Sequence, residues 1–221
     1  MPDKQLLALL QRGQEEMHLG LSESQCQQLI AYVELLDKWN KAFNLSAIRD
    51  PQQMVSRHLL DSLTLLPRLR HLQQQSSEPL VLLDVGTGGG LPGIPLSIAL
   101  PEMAFYLLDS NGKKTRFLFQ TVTALSLGNV TVENCRIESY QCAKQIDIVV
   151  SRAFSSLSDF AAGCQHLCQP HTRLLAMKGV YPESELAELS ADWQVVASQP
   201  LSVPGCEGER QLIELMQNPT I

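Results

Sequence analysis

Asp84, Gly86, Gly88 and Gly90 stand at alternate positions, D-x-G-x-G-x-G, within LLDVGTGGGLPGIPLSIALP, residues 82–101. Glycine in such a turn accepts positive φ and lets a ligand approach the main chain, because no Cβ stands in the way. Three cofactors compete for that geometry. A nucleoside triphosphate requires G-x-x-x-x-G-K-[ST]. No lysine follows these glycines, and in NGKKT (111–115) Lys114 occupies the Ser/Thr place and Leu107 that of the first glycine. A dinucleotide is harder to reject. Gly88, Gly90 and Gly93 satisfy G-x-G-x-x-G, and Asp109 lies where an acidic residue would bind the ribose. Against it, Pro92 and Pro95 withdraw two amide donors from the helix start that would hold a pyrophosphate. Asp84 adds a negative charge beside the same place. S-adenosylmethionine suits both features, since its sulfonium and ammonium are cationic and its ribose still needs a carboxylate. The residues therefore favour S-adenosylmethionine, with Asp84 toward the methionine end and Asp109 on the ribose. A dinucleotide, and an Asp84 that merely caps the turn, stay open.

The elements that must carry this turn fall into two regimes. Residues 1–75 read as helical and rich in glutamine; residues 76–221 read as α/β. In LSESQCQQLIAYVELLDKWNKAF, Cys26, Leu29, Ile30, Val33 and Leu36 recur at helical spacing, with Ser22 and Gln25 as a capping box. A second helix is predicted through PQQMVSRHLLDSLTLLPRL, opened by Pro51, followed by a linker at HLQQQSSEP. Beyond Leu80 come the candidate strands LVLLDV, AFYLLD, VTVEN, IDIVV, RLLAMK, WQVVA and RQLIEL, most separated by helix-length segments. That rhythm predicts a seven-stranded, mainly parallel sheet covered on both faces. SQPLSVPGCEGE is too short for a crossover helix, so the last strand should run antiparallel.

Composition narrows the function. Seventeen basic residues against 23 acidic ones give a net charge of −6, which argues against indiscriminate nucleic-acid binding. A local basic patch on an acidic body is still compatible with it. No apolar run reaches membrane-spanning length, and the apolar patch in MPDKQLLALLQ is too short for a signal peptide. With no C-x-x-C pair among the six cysteines, free thiols in a reducing cytoplasm are expected, and no metal site.

Several of these stretches resemble one family. FNLSAI (43–48), HLLDSL (58–63), LLDVGTGGGLPGIPL (82–96), LLDSNGKKTRFL (107–118), SRAF (151–154) and GER (208–210) occur in this order in the RsmG/GidB proteins. These are bacterial methyltransferases acting on guanine N7 in 16S ribosomal RNA. The resemblance covers nearly the whole chain. It implies a class I (Rossmann-like) methyltransferase fold with an N-terminal helical cap. It also implies donor contacts at Gly86, Leu91, Asp109, Ser110, Ile137, Glu138 and Arg152, beside Asp84 and Gly88 from the turn itself. In NCRIESY, Ile137 and Glu138 would meet the adenine; Ile137 replaces an alanine often seen there. The target would be the decoding-region (530) loop of 16S rRNA, naked or in the small subunit, with no membrane and a monomeric protein.

Methyl transfer to guanine N7 needs no general base, so alignment can carry the catalysis. The sequence agrees with such a mechanism. SRAF stands where amino-methylating enzymes have [DN]-P-P-[FYW], and no Pro-Cys pair is present, Gly205 preceding Cys206. Arg152 is the expected alignment residue, through the donor carboxylate or an RNA phosphate. Lys113, Lys114 and Arg116 crowd the start of a predicted helix, where cations are disfavoured. With Arg136, Lys178 and Arg210 they form the expected RNA-binding patch, which Arg49, Arg57 and His58 could extend. The competing functions are a small-molecule methyltransferase, a nicotinamide oxidoreductase and a non-catalytic ribosome-assembly factor.

Overall fold

A computed structural model describes residues 3–152, 154 and 156–218; Ala153 of the SRAF stretch lies outside them. Helix α1 (Lys4–Glu16) is capped by the Asp3 carboxylate, which accepts from the amides of Gln5 and Leu6. Helix α2 (Glu23–Phe43) starts at a complete capping box: Ser22 Oγ accepts from Gln25 N at 3.2 Å, and Gln25 Oε1 from Ser22 N at 2.9 Å. Its buried face carries Cys26, Leu29, Ile30, Val33 and Leu36 as the spacing predicts, and Tyr32 as well.

The single helix expected after Pro51 is divided. α3 (Pro51–Met54) runs into a π-helical stretch, Val55–Leu60, and then α4 (Asp61–Leu63). A break at Thr64–Leu65 precedes α5 (Leu66–Gln75). Pro67 explains the break, because inside a continuous helix its ring would strike the carbonyl four residues back, that of Leu63. The linker is also shorter than expected. Leu69 and Leu72 bury one face of α5 and draw the glutamines, good helix formers, into its last turn.

The sheet follows the predicted rhythm. Strand β1 (Val81–Val85) is followed by α6 (Gly93–Ala99), β2 (Ala104–Leu108), α7 (Gly112–Ala124), β3 (Val130–Glu133) and β4 (Ile148–Ser151). Then come α8 (Leu157–Cys164), β5 (Arg173–Lys178), α9 (Glu183–Ala187), β6 (Trp193–Pro200) and β7 (Gln211–Gln217). The strand order is β3-β2-β1-β4-β5-β7-β6. β7 inserts between β5 and β6 and runs antiparallel to both; the other pairings are parallel. β1 is entirely buried, as a central strand covered on both faces should be. The order reverses between β1 and β4, so a crevice opens at the carboxyl ends of these strands.

The first 75 residues share a core with the sheet. One buried cluster joins Leu10, Leu29, Leu36, Leu59 and Leu69 to Leu82, Ile94, Phe105, Phe117 and Leu175. An ion cluster adds to it: Glu214 of β7, 1 % exposed, accepts two hydrogen bonds from Arg68 of α5, at 2.8 Å each, and another from Arg173 of β5. No helix among the described residues is long and apolar enough to cross a membrane.

Candidate functional site

The glycine turn hangs from the end of β2, where Leu108 O accepts from Gly86 N at 2.9 Å and Thr87 N at 3.1 Å. It borders a cleft of about 440 Å³ lined by Gly86, Asp109, Ser110, Ile137, Glu138 and Phe154, among others. That volume is within the range of small-molecule sites. Gly86 has a φ of +69°, and nothing lies within 4 Å of where a Cβ would stand. The cleft therefore contains open room against the main chain that any side chain at this position would fill. Asp109 forms the floor. Its Oδ2 accepts from Gly88 N at 3.0 Å and its Oδ1 from Asn111 N at 2.9 Å, while Lys114 Nζ stands 3.4 Å from Oδ2. Two backbone donors thus hold a carboxylate at the rim of a strand end, as a ribose-binding acid requires. This geometry fits an adenosine-bearing ligand.

Asp84 does different work. It is fully buried and outside the lining of this cleft. Its Oδ2 accepts from Thr87 Oγ1 at 2.6 Å and Gly93 N at 2.8 Å, whereas Oδ1 has no hydrogen-bond partner. Burial pushes its pKa up to about 6, against the opposing pull of those two hydrogen bonds. The first amide of α6 is therefore occupied by a side chain of the protein and is not free for a phosphate. From behind, Tyr32 of α2 donates its hydroxyl to Gly89 O at 2.7 Å. A Cβ at Gly90 would come within 2.5 Å of Ile94, and one at Gly93 within 2.2 Å of Leu107. These two glycines serve close packing; Gly86 leaves space.

A second cleft, of about 310 Å³, brings together Arg57, His58, Asp61, Arg152, Lys178 and Arg210. Asp61 is its hub: Oδ2 accepts from Arg152 NH1 at 3.1 Å and Oδ1 from Arg210 Nε at 3.0 Å. Arg152 NH1 also reaches Arg57 O at 3.3 Å. His58 Nδ1 lies 3.1 Å from the same carbonyl and so carries the proton; Nε2, 2.7 Å from Ser46 Oγ, then accepts. Burial, with the Arg152 charge adding to it, lowers the His58 pKa to about 4, so the ring is neutral at physiological pH. The π-helical stretch sets His58 and Asp61 toward the same cleft, a placement such stretches often have at functional sites. The two clefts adjoin. Lys178, in the second, pairs with Glu185 at 2.7 Å and reaches the carbonyl of Phe154, in the first, at 3.4 Å.

Comparison with known proteins supplies the lineage. A family model described as rRNA small subunit methyltransferase G, GidB, matches residues 25–213. The chain belongs to the GidB family. The curated relative from Pseudomonas paraeruginosa, "Ribosomal RNA small subunit methyltransferase G", is 52 % identical over 206 residues, 93 % of each chain. The same-named protein of Stutzerimonas stutzeri is 50 % identical with the same coverage. Among solved structures, TrmN of Thermus thermophilus matches with a TM-score of 0.54 at 17 % identity; the match covers 74 % of this chain and 53 % of that one. TrmK of M. capricolum, solved with S-adenosyl-homocysteine, matches with a TM-score of 0.51 at 16 % identity, over 68 % of each chain. The seven-stranded Rossmann-like methyltransferase fold is thus the observed one.

In this GidB protein the residues singled out from sequence divide between the clefts. Gly86, Asp109, Ser110, Ile137 and Glu138 meet in the first, together with Lys114 and Arg136. Arg152, Lys178 and Arg210 meet in the second. Gly88 and Leu91 line neither: Gly88 holds Asp109 through its amide, and Leu91 is a core residue with its amide on Thr87 O. Lys113, Lys114 and Arg116 do stand at the start of α7, capped by Asn111, but Lys114 faces Asp109 inside the first cleft. Of the expected basic patch, Lys114, Lys178 and Arg210 each pair with a carboxylate of the chain. Asp61, Phe154 and Tyr32 were missed. The sequence signal for Asp61 is its place in HLLDSL, four residues after Arg57.

Proposed function

We propose that this chain transfers a methyl group from S-adenosylmethionine to N7 of a guanine in the decoding-region (530) loop of 16S rRNA. The observation that carries the reading is the junction at Lys178 and Phe154, where an open cleft suited to adenosine meets a cleft lined by arginines. When bound, S-adenosylmethionine supplies an electrophilic methyl group on a sulfonium. Asp109 and Ser110 hold the ribose, Ile137 and Glu138 meet the adenine, and Gly86 leaves room for the ligand against the main chain. Asp84 acts one step removed, by shaping the turn through Thr87 and Gly93. Arg152 aligns the target at the mouth of the second cleft, steadied by Asp61. No base is called for, and His58 is not placed as one, since both ring nitrogens are engaged.

Lys113, Arg116, Arg136, Lys178 and Arg210 contribute phosphate contacts around the two clefts. Residues 1–75 act as a helical cap on a methyltransferase domain of residues 76–221. The protein works as a monomer in the cytoplasm, on the small subunit or its RNA, without a metal.

The test offers purified protein labelled S-adenosylmethionine with unmodified small subunits or their deproteinised RNA, and maps the label by cleavage specific for 7-methylguanine. Label at one guanine is the expected result. Absence of label from both RNA forms, with donor binding intact, would remove the RNA reading.

A further inference from the structure

We infer that Val180 and Tyr181, on the loop after β5, form a stacking platform for an unpaired nucleotide of the RNA beside the methylated base. The inference rests on the function proposed above. Val180 is 64 % exposed and Tyr181 50 %. Two consecutive large side chains left in solvent make an apolar patch that a partner can cover. Their position says which partner. Lys178 and Gly179, immediately before them, line the second cleft with Arg57, Arg152 and Arg210.

The lining of the cleft, rather than its surroundings, favours a polyanion: Arg57, Arg152, Lys178 and Arg210 stand there with Asp61 as the one carboxylate of the lining. Lys178 is tied to Glu185, and Glu183, Glu207 and Glu209 are exposed in the adjoining loops, so the attraction is confined to the three arginines. Asp61 is shared by two arginines, so each keeps donors for a phosphate. An RNA strand whose phosphates lie along these cations carries its bases within reach of the Val180–Tyr181 loop. Unpaired bases stack on aromatic rings whatever their identity, so the ring adds affinity and the strand's course adds register. The loop is anchored for the task. Glu183 N donates to Tyr181 O at 3.1 Å, and Lys178 is tied to Glu185 and Phe154.

The experiment measures binding of unmodified small ribosomal subunits, and methyl transfer to them, for the wild type, Tyr181→Ala and Tyr181→Phe. S-adenosylmethionine affinity is the check on folding. Tyr181→Ala should bind subunits roughly five- to fifty-fold more weakly with donor affinity unchanged. Tyr181→Phe, which keeps the ring, should restore binding. Unchanged subunit affinity in Tyr181→Ala overturns the proposal. So does a Tyr181→Phe as weak as the alanine variant, because the hydroxyl would then be the contact. A wild type that binds subunits through Tyr181 but methylates nothing leaves the platform standing and refutes the proposed activity instead.

Discussion

Asp61 and Arg210 are 149 positions apart in the chain, yet Arg210 Nε donates to Asp61 Oδ1 at 3.0 Å while Arg152 takes the other oxygen at 3.1 Å. One carboxylate of the helical region thus sets the direction of two guanidiniums from the sheet.

Arg152→Ala should slow methyl transfer by roughly 100-fold, because misplacing a reactant by about an ångström has that effect. Stability should fall by no more than about 1 kcal/mol, since the pair is part-exposed and Asp61 keeps Arg210. Single-turnover kinetics beside calorimetry checks both. Unaltered turnover would take the alignment role away from Arg152.

Gly86→Val should cut S-adenosylmethionine affinity at least tenfold. The side chain would enter the open room of the first cleft, and the φ of +69° would add roughly 1–2 kcal/mol of strain. Titration calorimetry with the donor reads the first effect and thermal unfolding the second. Wild-type donor affinity would mean the ligand does not lie against this turn.

Glu214→Ala should destabilise by about 3–5 kcal/mol, because Arg68 and Arg173 would be left facing each other without their shared anion. Burial works to raise the Glu214 pKa, but hydrogen bonds from Arg68 and Arg173 outweigh it, and the net shift is downward. A carboxylate with a depressed folded pKa stabilises above its unfolded value and loses that contribution as pH falls through the folded value. Urea unfolding below pH 4.5 should therefore show a smaller acid loss in the variant than in the wild type. An equal acid loss would mean that Glu214 gains nothing from its arginines.

His58 and Asp84 should tilt the pH dependence of stability in opposite senses. The folded pKa of His58 is about 4 against 6.5 unfolded, so the unfolded chain takes up protons first and stability is lost as pH falls from 6.5 toward 4. For Asp84 it is about 6 against 3.8, so the folded chain takes up protons first and stability is lost as pH rises from 4 toward 6. Each contributes at most about 1.4 kcal/mol per pH unit, and in the wild type they largely cancel. Asp84→Asn should make acidification between pH 6 and 4.5 more destabilising than in the wild type, and His58→Asn should make it less so. Parallel profiles for all three proteins would refute both assignments.

Legibility was uneven for identifiable reasons. Every strand expected from an apolar run is present. In the central β1 the run is plain because a parallel strand covered on both faces buries consecutive residues, whereas β6, exposed beyond Trp193, shows only β-branched residues flanked by polar ones. The antiparallel β7 followed from a loop too short for a crossover. The capping box at Ser22 was equally plain, since caps are local. The break before α5 is masked in the sequence by an apolar pattern that continues past it, and Pro67 is its one local mark.

Of the first cleft, the glycine turn and Asp109 were readable from their places just past strand ends, which converge by topology, whereas Ser110, Ile137 and Glu138 came only from the family resemblance. Asp84 shows the limit of such reading. Its type and position suit a cation, and whether the carboxylate faces a ligand or its own turn depends on side-chain direction, which spacing does not encode.

Periodicity, glycine spacing and strand order are set by short-range sterics and hydrophobic patterning, so the residues alone determined the fold, while between S-adenosylmethionine and a dinucleotide the turn favoured the first without excluding the second. Which charges remain free depends on partners brought together by folding. Arg152 and Arg210 meet Asp61 only where the helical region packs against the sheet, across 91 and 149 positions of chain. Lys114 and Asp109, and Lys178 and Glu185, are by contrast neighbours in sequence whose pairing depends on how one strand end leads into the next helix. Ion pairing acts over a few ångströms in space and is indifferent to separation along the chain, so the second cleft belongs to the tertiary structure.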